Sequence, residues 1–539
     1  MEIPINKHSL TTAGGHGHRF IDRYFFARRL ALALIVAILG GSTFFLHYTI
    51  ERHYNEAGAF EHNDVFFNAD PSLALYRYSK PYENSSFVHP NIRLLCNSPI
   101  RALAEILHHS GLAHDKPSLL RRRIALLVVP VAAGVASVAV FAFFCLLGLA
   151  VVPALLIALL SSVSFSQLVF GSVPDNFALS GLAIALAYLV AVRSMNDSKE
   201  MSDRASRKCT TADRGYDQAE QPAGLRRRRW IQWLIAGCVI TGITASNVFV
   251  VAILMWVCLD FTYRNKKRAT QQTILFTFSV LMLTYSSSYL LDRAYGLGAK
   301  DVEKLGRWTT TYFKQDVLKS ISLFPTSLAN AIAPTEISQM LHIDKKTPSV
   351  QKKKDINTRS KAAKVVLIRR KNISLKSRKS GELRVAKKNS PIAKKERSEK
   401  LRTKKGIITE QKPRTNIGYR FTLEGFKSSS PLSSLRAILF VFILAVGTFV
   451  GFGAGGIRRA VTVASVAIIG YNWILHSVWG DEFFLYSQHW LLASMFLVSQ
   501  VLLFRRRYSF FFACLLALTV VAVGINNALM LSYMFTTLK

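Results

Sequence analysis

The sequence is poor in cysteine, in acidic residues and in compact catalytic signatures. Its six cysteines are Cys96, Cys145, Cys209, Cys238, Cys258 and Cys514, none in a CxxC pair and most in apolar runs. That excludes a disulfide framework or a cysteine zinc site and leaves the thiols as small core hydrophobes. Asp and Glu number 32 against 69 Lys and Arg, giving a net charge of +37. No repeat of fixed period runs through the chain, and no motif as specific as a Walker loop is present. No soluble domain is evident at either end.

What the chain has in quantity is apolar sequence. Half of its 539 residues are hydrophobic, the mean hydropathy is +0.24, and several apolar runs reach about 18 residues or more, which a soluble core rarely needs. The fold class expected is an all-α polytopic membrane protein with about eleven transmembrane helices. The first span, near 30–50, follows Lys7, Arg19, Arg23, Arg28 and Arg29. It is too long for the apolar part of a cleavable signal and lacks a small-residue cleavage site. A retained span with a cytoplasmic tail, residues 1–29, is expected.

The first external loop then covers 51–122 and ends in a short amphipathic helix, Pro99–His109. Spans two and three share Ile124–Phe170, with a turn near Val151–Pro153. The polar run Ser161–Gln167 is expected to face the protein interior. Pro174, Asp175 and Asn176 make an external turn, and span four covers about 177–193. Residues 230–261 are flanked by Arg226–Arg229 and by Arg264, Lys266, Lys267 and Arg268. Two short spans meeting near Gly242–Asn247 keep both basic clusters inside. Span seven lies near 272–291, and helical periodicity returns over Tyr312–Ala333. Four more spans follow, near 433–455, 460–478, 489–504 and 509–535. Arg458, Arg459 and Arg505–Arg507 fall inside; Arg121–Arg123 fall outside, against the charge bias.

By domain, this gives a membrane core over 30–335, a basic insert over 336–420 and C-terminal membrane helices over 421–539. Within the insert, residues 345–414 carry 26 Lys and Arg against five acidic residues and no aromatics. Such a composition cannot bury enough apolar surface to order itself, so it is expected to be disordered. It would bind anionic lipid or glycan, or remain a solvated tail. Without aromatic side chains for base stacking, nucleic acid is not an expected partner.

The segment Glu61–Pro90 is the first polar stretch with chemistry in it. It carries Asp64, Asp70 and Glu83 beside His62 and His89, among Phe and Tyr. Asp70, before Pro71, reads either as a helix N-cap or as a carboxylate that accepts a proton. His89 before Pro90 reads as a turn with a hydrogen-bonded ring, or as a substrate contact or metal ligand. At the other external end, Glu482, Tyr486, His489 and Trp490 read as an interfacial aromatic belt, or as the wall of a pocket.

This order of segments resembles the GT-C glycosyltransferase superfamily. A first span leads to an acidic external loop with Asn68-Ala69-Asp70-Pro71 and then His89-Pro90. A polar third span leads to Pro174-Asp175-Asn176-Phe177, and the hairpin at Gly242 and Asn247 and the loop FLYSQHW complete the likeness. The superfamily includes protein O-mannosyltransferases and lipid A aminoarabinose transferases. The resemblance implies an inverting transfer from a polyprenyl-phosphate sugar on the non-cytoplasmic face of the plasma membrane, with membrane lipid around it. Asp70 would be the general base, with Asp64 in reserve. Asp175 would match a second acidic residue of several relatives. Arg77, Lys80, Arg93, Arg121 and Arg122 would face the leaving phosphate. No cofactor is certain, a divalent metal being the one the acids would admit. The alternative is a non-catalytic transporter or scaffold.

Overall fold

The structure is a computed structural model that describes residues 16–61, 66–67, 69–79, 89–209, 223–263, 265–294, 317–334, 431–479, 483–502 and 509–538. The basic insert lies outside the described residues, as do Asp64, Lys80 and Glu482. Among the described residues every regular element is helical.

Among the described residues seven helices are long and apolar enough to cross a membrane. They are α1 (His16–Glu56), α4 (Pro117–Leu146), α7 (Asn176–Cys209), α10 (Lys266–Ala294), α12 (Pro431–Gly453), α13 (Gly456–Val478) and α15 (Ser509–Leu538). Four shorter apolar helices stand where the remaining predicted spans were placed: α5 (Val151–Val163), α8 (Ala223–Ile243), α9 (Asn247–Tyr263) and α14 (Leu491–Leu502). A helical protein embedded in a membrane follows, since only helices and closed barrels satisfy their backbone in lipid. The small helices are α2 (Pro71–Ser79), α3 (Ser98–His109), α6 (Phe165–Phe170) and α11 (Val317–Ile332).

Local sequence explains the breaks. Pro117 opens α4, where its missing N–H costs nothing. Gly148, at φ 85°, closes α4 a few residues before the expected turn, in the left-handed region that glycine enters freely. Ser164 splits α5 from α6: it is extended, its hydroxyl accepts the Gln167 N–H and donates to the Ser161 carbonyl. The polar run around it does face inward. Ser162 shares a hydrogen bond of 2.7 Å with Ser137 of α4, and Gln488 donates to Ser166 at 2.7 Å.

The helices pack as close neighbours where small residues permit. α1 and α4 run antiparallel: the Gly134 position faces Gly40 and Phe44, while Gly40 faces Val138. One end of the bundle collects the polar connections. There Tyr54 of α1 reaches Met534 of α15, Tyr471 of α13 donates to the Ser246 carbonyl, and Trp473 stacks on Phe324 of α11. The C-terminus of α11 would leave carbonyls unpaired inside the protein. Arg436 and Asn527 close them: Arg436 donates to Ala333 and Asn330, Asn527 to Ile332 and Val163.

A Cβ at Gly134 would lie 2.8 Å from the Gly40 carbonyl oxygen, whereas one at Gly41 meets nothing within 4 Å. Gly134→Val should therefore destabilise the detergent-solubilised protein by about 1–3 kcal/mol through overpacking. Gly41→Ala should leave the thermal midpoint within a degree or so.

Candidate functional site

The corner begins at Phe67. Its φ of 49° is unusual for a bulky side chain, and strain of this kind costs about 1–3 kcal/mol. Packing holds it there. The ring is fully buried, 4.7 Å from Phe484 and 5.9 Å from Phe165 between centroids. The reversed backbone lets the Ala69 N–H bond the Phe66 carbonyl at 2.7 Å. Asp70 follows, its carbonyl accepting the Ala74 N–H to start α2, with Pro71 at the first helical position.

Asp70 is fixed from the other side of the sequence. Its backbone N–H donates to Asp175 Oδ2 at 3.1 Å, and Asp175 Oδ1 accepts the N–H of Asn176. α2 is tied again at its C-terminal half: Tyr78 donates its hydroxyl proton to Asn176 Oδ1 at 2.8 Å, and the Asn97 amide donates to the carbonyls of Arg77 and Tyr78. Three segments, 66–79, 93–97 and 175–176, thus fix the Asp70 backbone against the Asp175 carboxylate.

Their environments differ. Asp175 is 8% exposed, and burial pushes its carboxyl up to about 6, against two backbone N–H groups that favour the anion. The Asp70 charge raises it further, while Arg77 lowers it. Asp70 is half-buried.

The histidines join from two more segments. His89 Nδ1 donates to the Ile243 carbonyl at 2.6 Å, and the Asn91 N–H to Gly242 at 2.9 Å, so the turn at His89–Pro90 caps the end of α8. With Nδ1 as donor, Nε2 is left as acceptor. Burial pushes His89 down. It pushes His489, 2% exposed, down to about 4, with His89 lowering it further. Both rings are neutral at neutral pH, able to bond but not to carry charge. His489 stands 6.2 Å from Phe177, which follows Asn176, and 5.9 Å from Tyr486. Tyr486 in turn stacks on His476 at 3.7 Å.

Of the residues picked from sequence, Asp70, Asp175, Arg77, His89, Tyr486 and His489 meet at this corner. Arg93 does not stand open for an anion: it is buried and pairs with Asp292 at 3.5 Å. Arg121 donates to Pro117 in its own first turn, Arg122 is exposed, and Arg123 pairs with Asp115. Asp64, Lys80 and Glu482 fall outside the described residues. Tyr78, Asn97, Asn176 and His476 were not picked. Asn176 had a signal in its adjacency to Asp175; the others had none. Among the described residues no three His, Cys, Asp or Glu side chains are placed to hold a metal.

An apolar groove of about 300 Å³ opens elsewhere, among the spans. Phe249, Trp256, Val463 and Tyr471 line it between α9 and α13. Tyr471 bonds the Ser246 carbonyl, in the turn between α8 and α9 whose Ile243 carbonyl accepts from His89. A smaller cavity, about 40 Å³, lies among Arg229, Trp230 and Trp233, away from the carboxylates.

A carboxyl raised by folding binds its proton more tightly in the native state. The stability from Asp175 is therefore complete below about pH 4, its ordinary range, and is lost as the pH rises through about 6. The thermal midpoint should fall between these values by an increment that Asp175→Asn lacks. Denaturation of both proteins across this window measures it.

Compared with protein-family models and with curated proteins, the chain matches none.

Proposed function

We propose that the chain is a membrane glycosyltransferase that moves a sugar from a polyprenyl-phosphate donor to a glycan, lipid or protein acceptor. The proposal places the corner on the non-cytoplasmic face of the plasma membrane, with eleven crossings and a cytoplasmic N-terminus. One observation carries it: Asp70 and Asp175, 105 residues apart, are joined by a hydrogen bond with Arg77 and two neutral histidines around them.

The roles follow from bonding. Both oxygens of Asp175 accept backbone N–H groups, so Asp175 is the positioning residue. Asp70 is the base. As an acceptor hydroxyl attacks the anomeric carbon, its proton passes to the Asp70 carboxylate, the new C–O bond forms, and the old one breaks toward the phosphate. Inversion results from attack opposite the leaving group. Arg77 supplies positive charge to the departing phosphate. His89 and His489 orient donor or acceptor by hydrogen bonds. Holding the reactants in place supplies much of the rate, because the sugar phosphate is already activated. The groove between α9 and α13 is apolar throughout and would suit hydrocarbon. Membrane lipid, not nucleic acid, is the surrounding partner.

A second reading is a proton-coupled transporter. The buried Glu51 in the first span favours it, because ionisable groups at such depth mark ion paths.

Asp70→Asn should lower transfer by about 10²–10⁴-fold with the protein still inserted and folded. Mass spectrometry of cell-envelope glycans and lipids, with the wild type, with the variant and without the protein, gives the readout. A glycan or lipid that depends on the protein and forms normally with the variant removes Asp70 from the role of base.

A further inference from the structure

His47 and Glu51 lie one turn apart on α1, hence on one face. Both belong to its buried stripe, with Leu39, Thr43 and Tyr54; His47 is 0% and Glu51 2% exposed. His47 Nδ1 lies 2.9 Å from Ser172 Oγ. Its ring sits so close to the turn that a Cβ at Gly171 would lie 2.7 Å from Cε1 and 2.8 Å from Nδ1. Neither His47 Nε2 nor Glu51 Oε1 has a hydrogen-bond partner among the described residues.

The neighbouring charges leave Glu51 uncompensated. On α1 itself, Arg52 pairs with Glu56 on the exposed side, and His53 packs on Phe535 of α15. Tyr54 turns its hydroxyl to Met534. At the start of α4, Arg121 bonds Pro117, Arg123 pairs with Asp115 and Arg122 is exposed. Beyond Ser172, Asp175 is occupied by Asp70 and Asn176. Among the described residues no cation pairs with Glu51. A buried carboxylate without a cation or donor is held neutral by taking up a proton. A neutral acid has one O–H to give. If Nδ1–H donates to Ser172, Nε2 of His47 is the lone-pair acceptor one turn away.

We propose that Glu51 and His47 are a proton-binding site inside the first span, Glu51 holding one proton at neutral pH and handing it to His47 Nε2. In the transfer the O–H bond of Glu51 breaks and an N–H bond forms on His47 across one buried water, and the pair's net charge is unchanged. The resulting imidazolium sits against Gly171 and Ser172, three residues before Asp175. The site's occupancy therefore acts on the turn that positions Asp70. That last link rests on the transferase reading; proton binding by the pair does not.

Infrared difference spectroscopy of the full chain in lipid nanodiscs tests the proposal. At about pH 7 exposed carboxyls are ionised, and a protonated-carboxyl carbonyl band should remain. Glu51→Gln should abolish it, Glu51→Asp should shift it, and Asp70→Asn should leave it. His47→Gln should move it to the position of an acid with no imidazole partner. A band that survives both substitutions at Glu51 unshifted, or no band at all, overturns the site. A Glu51 band indifferent to His47→Gln overturns the sharing. If the band behaves as expected while Asp70→Asn retains full transfer, the transferase assignment fails and the proton site stands.

Discussion

The constraint on which the polar end of the bundle depends is that one buried carboxylate, Asp175, accepts two backbone N–H groups. One is its neighbour's and the other belongs to Asp70, a residue 105 positions earlier in the chain. A buried anion is tolerated only when donors surround it. Here the donors are backbone groups, so the carboxylate fixes main chain and not merely side chains. The start of α2 and the start of α7 are thereby held together, and Tyr78 to Asn176 repeats the lock about two turns further along α2.

The same logic runs through the rest of the polar end. Helix ends and turns that would carry unpaired groups into an apolar interior are closed by side chains from distant segments. Asn97 takes the carbonyls at the end of α2, His89 those at the end of α8, and Arg436 and Asn527 those at the end of α11. Such bonds are individually modest, about 0.5–1.5 kcal/mol each. Leaving them unmade in a dry setting costs more, so the loops are rigid through necessity. Rigidity of this kind suits a site that works by positioning.

The sequence revealed the helices well and the corner only in part. Apolar runs of span length gave element existence, and basic clusters such as Arg226–Arg229 and Arg264–Arg268 located the hairpin now seen between Ile243 and Asn247. Asp70 and Asp175 were legible because an acid beside proline at an external turn is a recognisable pattern. The partners of Arg93 and Arg123 were not, since an ion pair with Asp292 or Asp115 depends on packing between helices remote in sequence or on loop geometry. Glu51 was missed for a simpler reason. The apolar run stops near Ile50, so Glu51 read as the first residue of a loop. Helix α1 in fact continues to Glu56, and its buried face continues with it.

Charge is distributed with a purpose that total composition hides. The chain carries +37 overall, yet the described part of the corner pairs two acids with one nearby guanidinium, Arg77, and two histidines held neutral by burial. A corner crowded with cations would hold a free phosphate and release it slowly, and would keep both acids ionised. A corner without any would bind no phosphate. One arginine beside a carboxyl raised to about 6 sits between these limits: enough positive charge to attract an anion to this corner, too little to hold Asp175 fully ionised.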